Sequence, residues 1–224
     1  MPETVPHDRP EVWLNCATSA DGRLAFAGGR RAELSGPEDL ARVQGLRAES
    51  DGILVGVGTV LLDDPSLRVH WELLGRPPGP SPTRIVLDSH GRTPLTARVV
   101  QPTQPTLIAT AEGTARPWPP TVSVVSFGRP QVDIARLLEH LHRQKMRRLL
   151  VEGGAGVLAS FVRGGWFDRL TVYVAPMIIG GRTAPTMVAG EETSGPDSVV
   201  RLERVSAEPL GAGTLLTYRK ASRG

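Results

Sequence analysis

Short runs of apolar residues recur along the chain, and most of them have the length of a buried β-strand. They are rich in Val, Ile and Leu and are bounded by Gly, Pro, Asp or Ser, which are typical of turns. Uninterrupted runs of this kind are typical of strands that are buried on both faces of a parallel sheet. Strands are therefore predicted over residues 12–16, 53–57, 84–87, 106–109, 122–127, 148–151 and 170–175.

Between these runs, apolar residues recur at helical spacing. Leu40, Val43 and Leu46 would share one face of a helix, and this stretch follows an S-x-x-E pattern that begins at Ser35. Asp133 precedes a second such stretch and is a suitable N-cap. Helices are predicted over residues 37–49, 133–146 and 157–163.

Alternating strands and helices predict an α/β fold with a largely parallel sheet that is covered on both faces. Near the end of the chain, residues 200–205 and 214–219 flank Gly211-Ala212-Gly213, which predicts an antiparallel pair of strands. The Pro/Gly-rich stretches 75–82 and 116–120 are too short for linkers between domains. One domain over residues 1–224, with an ordered core from about 12 to 219, is the simplest interpretation.

Composition narrows the range of partners. Hydrophobic residues make up 40% and charged residues 22%, which fits a folded domain rather than a disordered chain. Lys145 and Lys220 are the two lysines among 26 basic residues, so 24 are arginines, whose guanidinium fork matches phosphate oxygens. The basic residues are scattered and aromatic residues reach only 4%, so no nucleic-acid partner is expected.

The sequence lacks a membrane helix, a signal peptide and a second cysteine, and these absences bear on the expected location and partners of the protein. No apolar run approaches the ~18 residues of a membrane helix, and the first ten residues lack the apolar stretch of a signal peptide. Cys16 is the single cysteine, so neither an internal disulfide nor a Cys-rich metal site can form. We therefore expect a cytoplasmic protein without a membrane or metal partner.

The most informative segment lies between the strand 148–151 and the following helix, where residues 154–159 read G-x-G-x-x-A. Glycines at such a turn let the backbone approach a pyrophosphate at a helix N-terminus. A tight strand-to-helix turn without a ligand has the same sequence pattern. The acidic residue expected ~20 positions later for NAD is missing, so a plain NAD-type Rossmann unit is disfavoured and a phosphorylated ribose, as in NADP, stays open.

Two other strands end in polar residues. After one strand, Gly56-Val57-Gly58-Thr59 leads towards Asp63. A ligand site and a helical turn that ends at Pro65 are equally good interpretations of this segment. Asp88-Ser89 follows another strand and would equally form an Asx turn. Open α/β sheets bind ligands at these carboxyl ends. Because neither a G-x-S-x-G elbow nor a metal-binding motif is present, a cofactor is expected to carry the chemistry, with hydride transfer as the leading case.

These motifs, in this order, are similar to those of the riboflavin-pathway reductases with a dihydrofolate-reductase-like fold. The stand-alone archaeal and fungal type is the best match, and the reductase half of bacterial bifunctional deaminase-reductases is more distant. The sequence carries no deaminase zinc signature, so only the reductase activity is implied. The resemblance spans about residues 12–219 and rests on residues 19–23, 46–48, 51–65, 84–89, 151–154, 167–170 and 174–176.

The resemblance implies a three-layer sandwich, a homodimer, and NADPH-dependent reduction of the ribosyl group of a phosphorylated (ribosylamino)pyrimidine to ribityl. Contacts with NADPH are implied for Ala17, Thr59, Asp63, Ser89, Gly153, Gly154, Ala155 and Gly156. Contacts with the substrate are implied for Ser35, Arg47, Leu67, His70 and Glu152. Arg47 and His70 would pair with the 5′-phosphate, and Glu152 would accept from pyrimidine amino groups. The bacterial proteins usually have arginine at the position of His70.

In such a reaction the N-glycoside opens to an imine at ribose C1′, which receives hydride from the nicotinamide. Proximity can then supply much of the acceleration. Asp63, Glu152 or water would assist a proton transfer. Two alternatives stay open: a pterin reductase, whose acid would face a pterin amino group, and a non-catalytic module that binds a pyridine nucleotide without oxidising it.

Overall fold

The computed structural model describes residues 8–188, 195 and 199–221. The predicted domain limits at residues 1 and 224 therefore lie outside the described residues, as do 189–194 and 196–198 within the predicted core. The chain divides into two compact units. Unit 1 comprises the chain up to Val12 and Gln44–Val151, and unit 2 comprises Trp13–Val43 and the chain from Glu152 onwards.

The described residues form nine strands, four α-helices and three short 3-10 helices. The strands are β1 (Glu11–Ser19), β2 (Gly52–Gly56), β3 (Thr83–Leu87), β4 (Thr106–Thr110), β5 (Val122–Ser126), β6 (Arg148–Val151), β7 (Arg169–Ala175), β8 (Leu202–Leu210) and β9 (Gly213–Lys220). The α-helices are α1 (Pro37–Ala48), α2 (Val57–Asp63), α3 (Ile134–Arg143) and α4 (Ala155–Gly164), and the 3-10 helices are Ala27–Gly29, Trp71–Leu74 and Arg98–Val100.

Unit 1 contains a parallel sheet in the order β5-β4-β3-β2-β6. Every residue of β2 and β4 is buried, as expected for parallel strands that are covered on both faces. Side chains from β2, β3 and β4, including Ile53, Val86 and Ile108, pack with Val99, Val100 and the first turn of α2 into one apolar core. This core fixes the strand ends from which the predicted ligand-binding turns emerge.

Unit 2 contains strands in the order β1-β7-β9-β8. β1 and β7 are parallel, whereas β7–β9 and β9–β8 are antiparallel. A small core of Ala32, Leu34, Tyr173 and Ala175, joined by Ala17, packs on this sheet. β8 lies at the end of this strand order, and most of its residues are exposed.

The predicted elements are all present, with differences at their ends. α3 follows Asp133, whose side chain accepts a hydrogen bond from the Arg136 N–H at 3.1 Å, but it ends at Arg143 because Lys145 has a φ of 64°. The S-x-x-E pattern does not act as a capping box through Ser35. The Ser35 hydroxyl donates instead to the Asp39 carboxylate, at 2.5 Å.

The α/β class, the mostly parallel strands and the antiparallel C-terminal strands are confirmed. In the described ranges, no helix has both the length and the apolar character needed to cross a bilayer.

Candidate active site

The first predicted cofactor segment of unit 1 is a short helix. Gly56 ends β2, and α2 runs from Val57 to Asp63. Asp64 then turns into the left-handed region with a φ of 40°, directly before Pro65, so the helical-turn interpretation is confirmed. Thr59 and Asp63 are four residues apart and therefore lie on the same face of α2. Thr59 is half-buried and Asp63 is exposed, so both side chains are accessible.

The second segment is the turn after β3, which is held by a buried acid. Asp88 is fully buried, and its Oδ2 accepts hydrogen bonds from the Thr93 N–H at 2.6 Å and the Thr93 hydroxyl at 2.8 Å. Its Oδ1 has no hydrogen-bond partner among the described residues, although Arg92 Nε lies 3.8 Å away. Asp88 therefore fixes the turn that carries the next residue, Ser89.

Ser89 is tied to its surroundings through both its main chain and its side chain. Its carbonyl accepts from the Ala111 N–H at 3.1 Å and the Thr114 hydroxyl at 2.8 Å. Its hydroxyl donates to Gln131 Oε1 at 2.9 Å and accepts from the Val132 N–H at 3.2 Å. A ligand that contacts this hydroxyl would compete with the exposed Gln131 side chain.

Strand register brings these two segments to one edge of the unit 1 sheet. β2 and β3 are parallel neighbours, and Gly56 lies opposite Leu87. α2 and the Asp88-Ser89 turn therefore leave the sheet side by side. The segments that carry Thr59, Asp63 and Ser89, for which the resemblance implied cofactor contacts, thus start at the same sheet edge.

The predicted phosphate ligands of unit 1 also converge. The Arg47 guanidinium donates to the Arg68 carbonyl at 2.9 Å, and Gln44 Oε1 accepts from the His70 N–H at 2.9 Å. Both bonds attach the segment around His70 to α1. His70 Nδ1 lies 2.8 Å from Glu72 Oε1. The pKa of Glu72 is lowered by a hydrogen bond from its own backbone N–H and, to a smaller degree, by the hydrogen bond with His70.

Leu67, predicted to lie by the substrate, has its side chain in the core. Only 2% of the residue is exposed, and it packs with the apolar cluster beneath β2 and β3. Its φ of 50° is unusual for a residue other than glycine. Its carbonyl accepts from Gln104 Nε2 at 3.3 Å. Main-chain atoms are therefore what Leu67 offers to a ligand.

In unit 2, the glycine-rich loop has the backbone that its sequence requires. Gly153 has a φ of 101° and Gly154 a φ of 62°, values that side chains disfavour. α4 begins at Ala155, and a Cβ built on Gly156 would meet no heavy atom within 4 Å. A glycine-rich loop at the start of a ten-residue helix fits the phosphates of a dinucleotide. Glu152, directly before the loop, is half-buried.

The remaining predicted contacts of unit 2 lie on β1 and before α1. Ala17 is half-buried on β1, opposite Tyr173 of β7. Ser35 donates to Asp39, which in turn accepts from Arg42 Nε at 2.8 Å. Because this bond uses the Ser35 proton, the hydroxyl would present lone pairs to a ligand. The Arg42 guanidinium also donates to Asn15 Oδ1 at 2.8 Å.

Asp21 lies in the stretch 19–23, one of those that carry the resemblance, and the structure shows what its side chain does. Its carboxylate accepts from the Ser19 hydroxyl at 2.6 Å, the Ile179 N–H at 3.0 Å and the Gly180 N–H at 2.8 Å. These bonds, with Ser19 the largest contribution, lower the pKa of Asp21 to about 2. Asp21 therefore ties the loop after β7 to the end of β1.

No group of three or more His, Cys, Asp or Glu residues within the described parts of the chain is arranged to hold a metal ion. Cys16 is buried, and burial is the main cause that raises the pKa of its thiol to about 12. The thiol is therefore protonated at neutral pH.

Comparison with known proteins decides the family. The model of the RibD C-terminal domain matches residues 10–216. The chain belongs to the RibD C-terminal domain family. The 2,5-diamino-6-ribosylamino-4(3H)-pyrimidinone 5′-phosphate reductase of Methanothermobacter thermautotrophicus is 42% identical over 218 residues, which cover 94% of this chain and 98% of that protein. The family predicted from the motifs is thus confirmed.

Solved structures give the same result for the fold. RibD of Acinetobacter baumannii superposes with a TM-score of 0.79 at 26% identity, over 96% of this chain and 59% of that one. The chain therefore spans little more than half of that relative. Dihydrofolate reductase from Enterococcus faecalis superposes with a TM-score of 0.51 at 14% identity, over 95% of this chain and 97% of that one. The predicted dihydrofolate-reductase-like fold is confirmed.

Proposed function

We propose that this RibD-family chain is a reductase that converts the ribosyl group of a phosphorylated (ribosylamino)pyrimidine to ribityl, with NADPH as hydride donor. One observation carries the proposal: the relative that is 42% identical over 94% of this chain bears the name of that reductase. The glycine-rich loop and the basic residues around His70 supply the two kinds of phosphate site that such a reaction needs.

Each unit contains predicted cofactor residues whose local geometry suits that role. The loop Gly153–Gly156 carries no side chain larger than the methyl group of Ala155, whereas Thr59, Asp63 and Ser89 carry polar side chains on segments that follow two neighbouring strands. When bound, NADPH supplies the hydride that reduces C1′ of the sugar. The protein's own contribution is to bind, to orient and to exclude water. Proximity of this kind is worth up to about 7–11 kcal/mol.

The predicted substrate residues fall into two chemical groups. Arg47 and His70 are cationic or hydrogen-bonding groups that suit the 5′-phosphate. Glu152 is half-buried and can accept hydrogen bonds from amino groups on the pyrimidine. A proton must also be transferred when the sugar opens to the imine, and Asp63 and Glu152 are the carboxylates proposed for that step.

NADPH rather than NADH is proposed because arginines surround the Ser89 turn. The Arg116 guanidinium donates to the Gly91 carbonyl and stacks on Trp118, 4.8 Å from the ring centroid. Arg92 is exposed on the same turn. The nearby acid Glu112 is already engaged by Arg136 at 2.7 Å. A guanidinium held in this way would recognise the 2′-phosphate that distinguishes NADPH.

The proposal extends to assembly and location. β8 is the last strand in the order of unit 2, and it exposes Val205 and Leu202. An exposed edge strand with apolar side chains is a template for pairing with a second chain. We therefore propose a homodimer through β8. A single buried cysteine also suits a reducing cytoplasm.

The direct test is a spectrophotometric assay with the purified protein. It is mixed with NADPH and the phosphorylated ribosylamino-pyrimidine, and the loss of reduced-nicotinamide absorbance is recorded. Substrate-dependent oxidation of NADPH is expected, with a higher kcat/KM than for NADH. Oxidation with dihydropterin instead would favour a pterin reductase, and binding of NADPH without oxidation by either substrate would favour a non-catalytic module.

The same assay tests the cofactor preference. Arg116→Ala should raise the KM for NADPH by about 10-fold or more, because a charge-assisted contact with the 2′-phosphate is lost, and should leave the KM for NADH unchanged. Arg143→Ala, which removes an exposed arginine on α3, is the control for the loss of a positive charge. Equal losses with both cofactors would contradict the assignment of Arg116.

A further inference from the structure

Residues 67–70 alternate between buried and exposed positions. Leu67 and Val69 are buried, whereas Arg68 is exposed and His70 is half-buried. This alternation puts Arg68 and His70 on the outer side of the segment. Arg68 Nε donates a hydrogen bond to His70 Nε2 at 3.4 Å, so the two side chains are immediate neighbours. The Arg68 side chain therefore lies at the surface, whereas the side chain of its neighbour Leu67 is buried.

α1 fixes these groups in place. The Arg47 guanidinium donates to the Arg68 carbonyl, and Gln44 Oε1 accepts from the His70 N–H, both at 2.9 Å. Three basic residues of unit 1 are thereby held in one place, and we call Arg47, Arg68 and His70 the basic patch. Guanidinium and imidazole groups that converge in this way suit a phosphate, whose oxygens accept several charge-assisted hydrogen bonds.

Glu72 is a carboxylate beside the patch, and it contacts His70. Glu72 Oε1 lies 2.8 Å from His70 Nδ1, and this contact leaves His70 Nε2 on the side of Arg68. Among the residues that the structure describes, Arg68 itself forms no ion pair within 4 Å of a carboxylate. Its Nε donates to His70 Nε2, so the terminal nitrogens of the guanidinium are the donors that Arg68 offers to an anion from outside the chain.

We propose that Arg68 is a third ligand of the substrate's phosphate, beside Arg47 and His70. The inference rests on the proposed function, because it assigns a further residue to the same substrate. Guanidinium matches phosphate through two parallel hydrogen bonds, which a lone imidazole cannot provide. Arg68 supplies this fork next to the half-buried His70.

Binding of ribose 5-phosphate, measured by isothermal titration calorimetry, tests the inference without catalysis. Arg68→Ala should weaken binding at least about 10-fold, and Arg68→Lys should weaken it less, because lysine keeps the charge but not the fork. Arg76→Ala is the matched control, because Arg76 is an exposed arginine close in sequence that stacks on Trp71. It should bind ribose 5-phosphate within about twofold of the unaltered protein. Arg47→Ala is the positive control.

The outcomes separate this inference from the proposed function. In the reductase assay, Arg68→Ala should raise the KM for the phosphorylated substrate with little change in kcat, as expected for uniform binding. Arg68→Ala with unaltered ribose 5-phosphate affinity and unaltered KM overturns the inference and leaves the proposed function standing. Loss of ribose 5-phosphate affinity in Arg68→Ala, in a protein that never oxidises NADPH, supports the inference while the proposed function fails.

Discussion

At the scale of single residues, several charged side chains of the described chain form hydrogen bonds with main-chain groups. Asp51 Oδ2 accepts from the N–H groups of Arg147 and Arg148, at 2.8 and 2.9 Å. Arg84, only 1% exposed, donates to the carbonyls of residues 98, 101 and 104. Asp21 accepts from two backbone N–H groups after β7. Such bonds fix loops that lack an apolar core of their own.

The hydrogen bonds of the Asp21 carboxylate should make the stability of the protein depend on pH. Its pKa falls from 3.8 to about 2 on folding, so its contribution to stability is present above pH 3.8 and is lost as the pH falls towards 2. Asp21→Asn should lower the Tm at neutral pH, and the difference from the unaltered protein should shrink between pH 4 and pH 2. Thermal unfolding followed by circular dichroism across this range measures it.

Glu139→Gln is the control for that experiment, because Glu139 is an exposed acid whose neighbour Arg143 lies 3.6 Å away on α3. Its effect on Tm should be small at every pH. A pH-independent Tm difference for Asp21→Asn would show that the variant acts through something other than ionisation of the carboxyl group.

Residue contacts were only partly predictable from the sequence. The resemblance assigns Arg47 and His70 to one phosphate, and in the structure Arg47 donates to the carbonyl of Arg68, two residues from His70. It could not show that the Leu67 side chain is buried, because burial depends on core packing between distant residues. The buried Arg84 was read as the start of an apolar strand, and its loop partners are 14 or more positions away.

At the scale of elements, turns at strand ends carry the proposed chemistry. The glycine loop after β6 combines positive φ at Gly153 and Gly154 with open space at Gly156. The turn after β3 is fixed by Asp88 and Thr93. Strand periodicity predicted where these turns lie, because buried apolar runs mark strands clearly. It did not settle whether residues after β2 are a loop or the helix α2, since short helical turns lack a distinct period.

Gly154→Val tests the role of the glycine loop. A branched side chain at a φ of 62° is strained and would occupy the space that a pyrophosphate needs, so NADPH affinity should fall at least about 10-fold. Fluorescence titration with NADPH measures the Kd, and the Tm reports on folding. Gly28→Val is the matched control, since Gly28 has a φ of 75° and open surroundings outside the loop. Unaltered NADPH affinity in folded Gly154→Val would remove the loop from the cofactor site.

At the scale of the whole molecule, each unit holds its own group of predicted ligand residues. Unit 1 carries the sheet-edge residues Thr59 and Ser89 and the basic patch, whereas unit 2 carries the glycine loop and Glu152. Fold class and family followed from the sequence because alternating elements and ordered motifs span nearly the whole chain. The division into two units did not, because it depends on contacts between segments that are far apart in the chain.

The central claim is that hydride passes from the cofactor to the anomeric carbon of the substrate's sugar. The most direct measurement uses NADPH that carries deuterium at both C4 positions of the nicotinamide, with product analysis by NMR and mass spectrometry. We predict one deuterium per product molecule, located at C1′ of a ribityl chain. Deuterium on the pyrimidine ring, or a product without deuterium, would contradict the account.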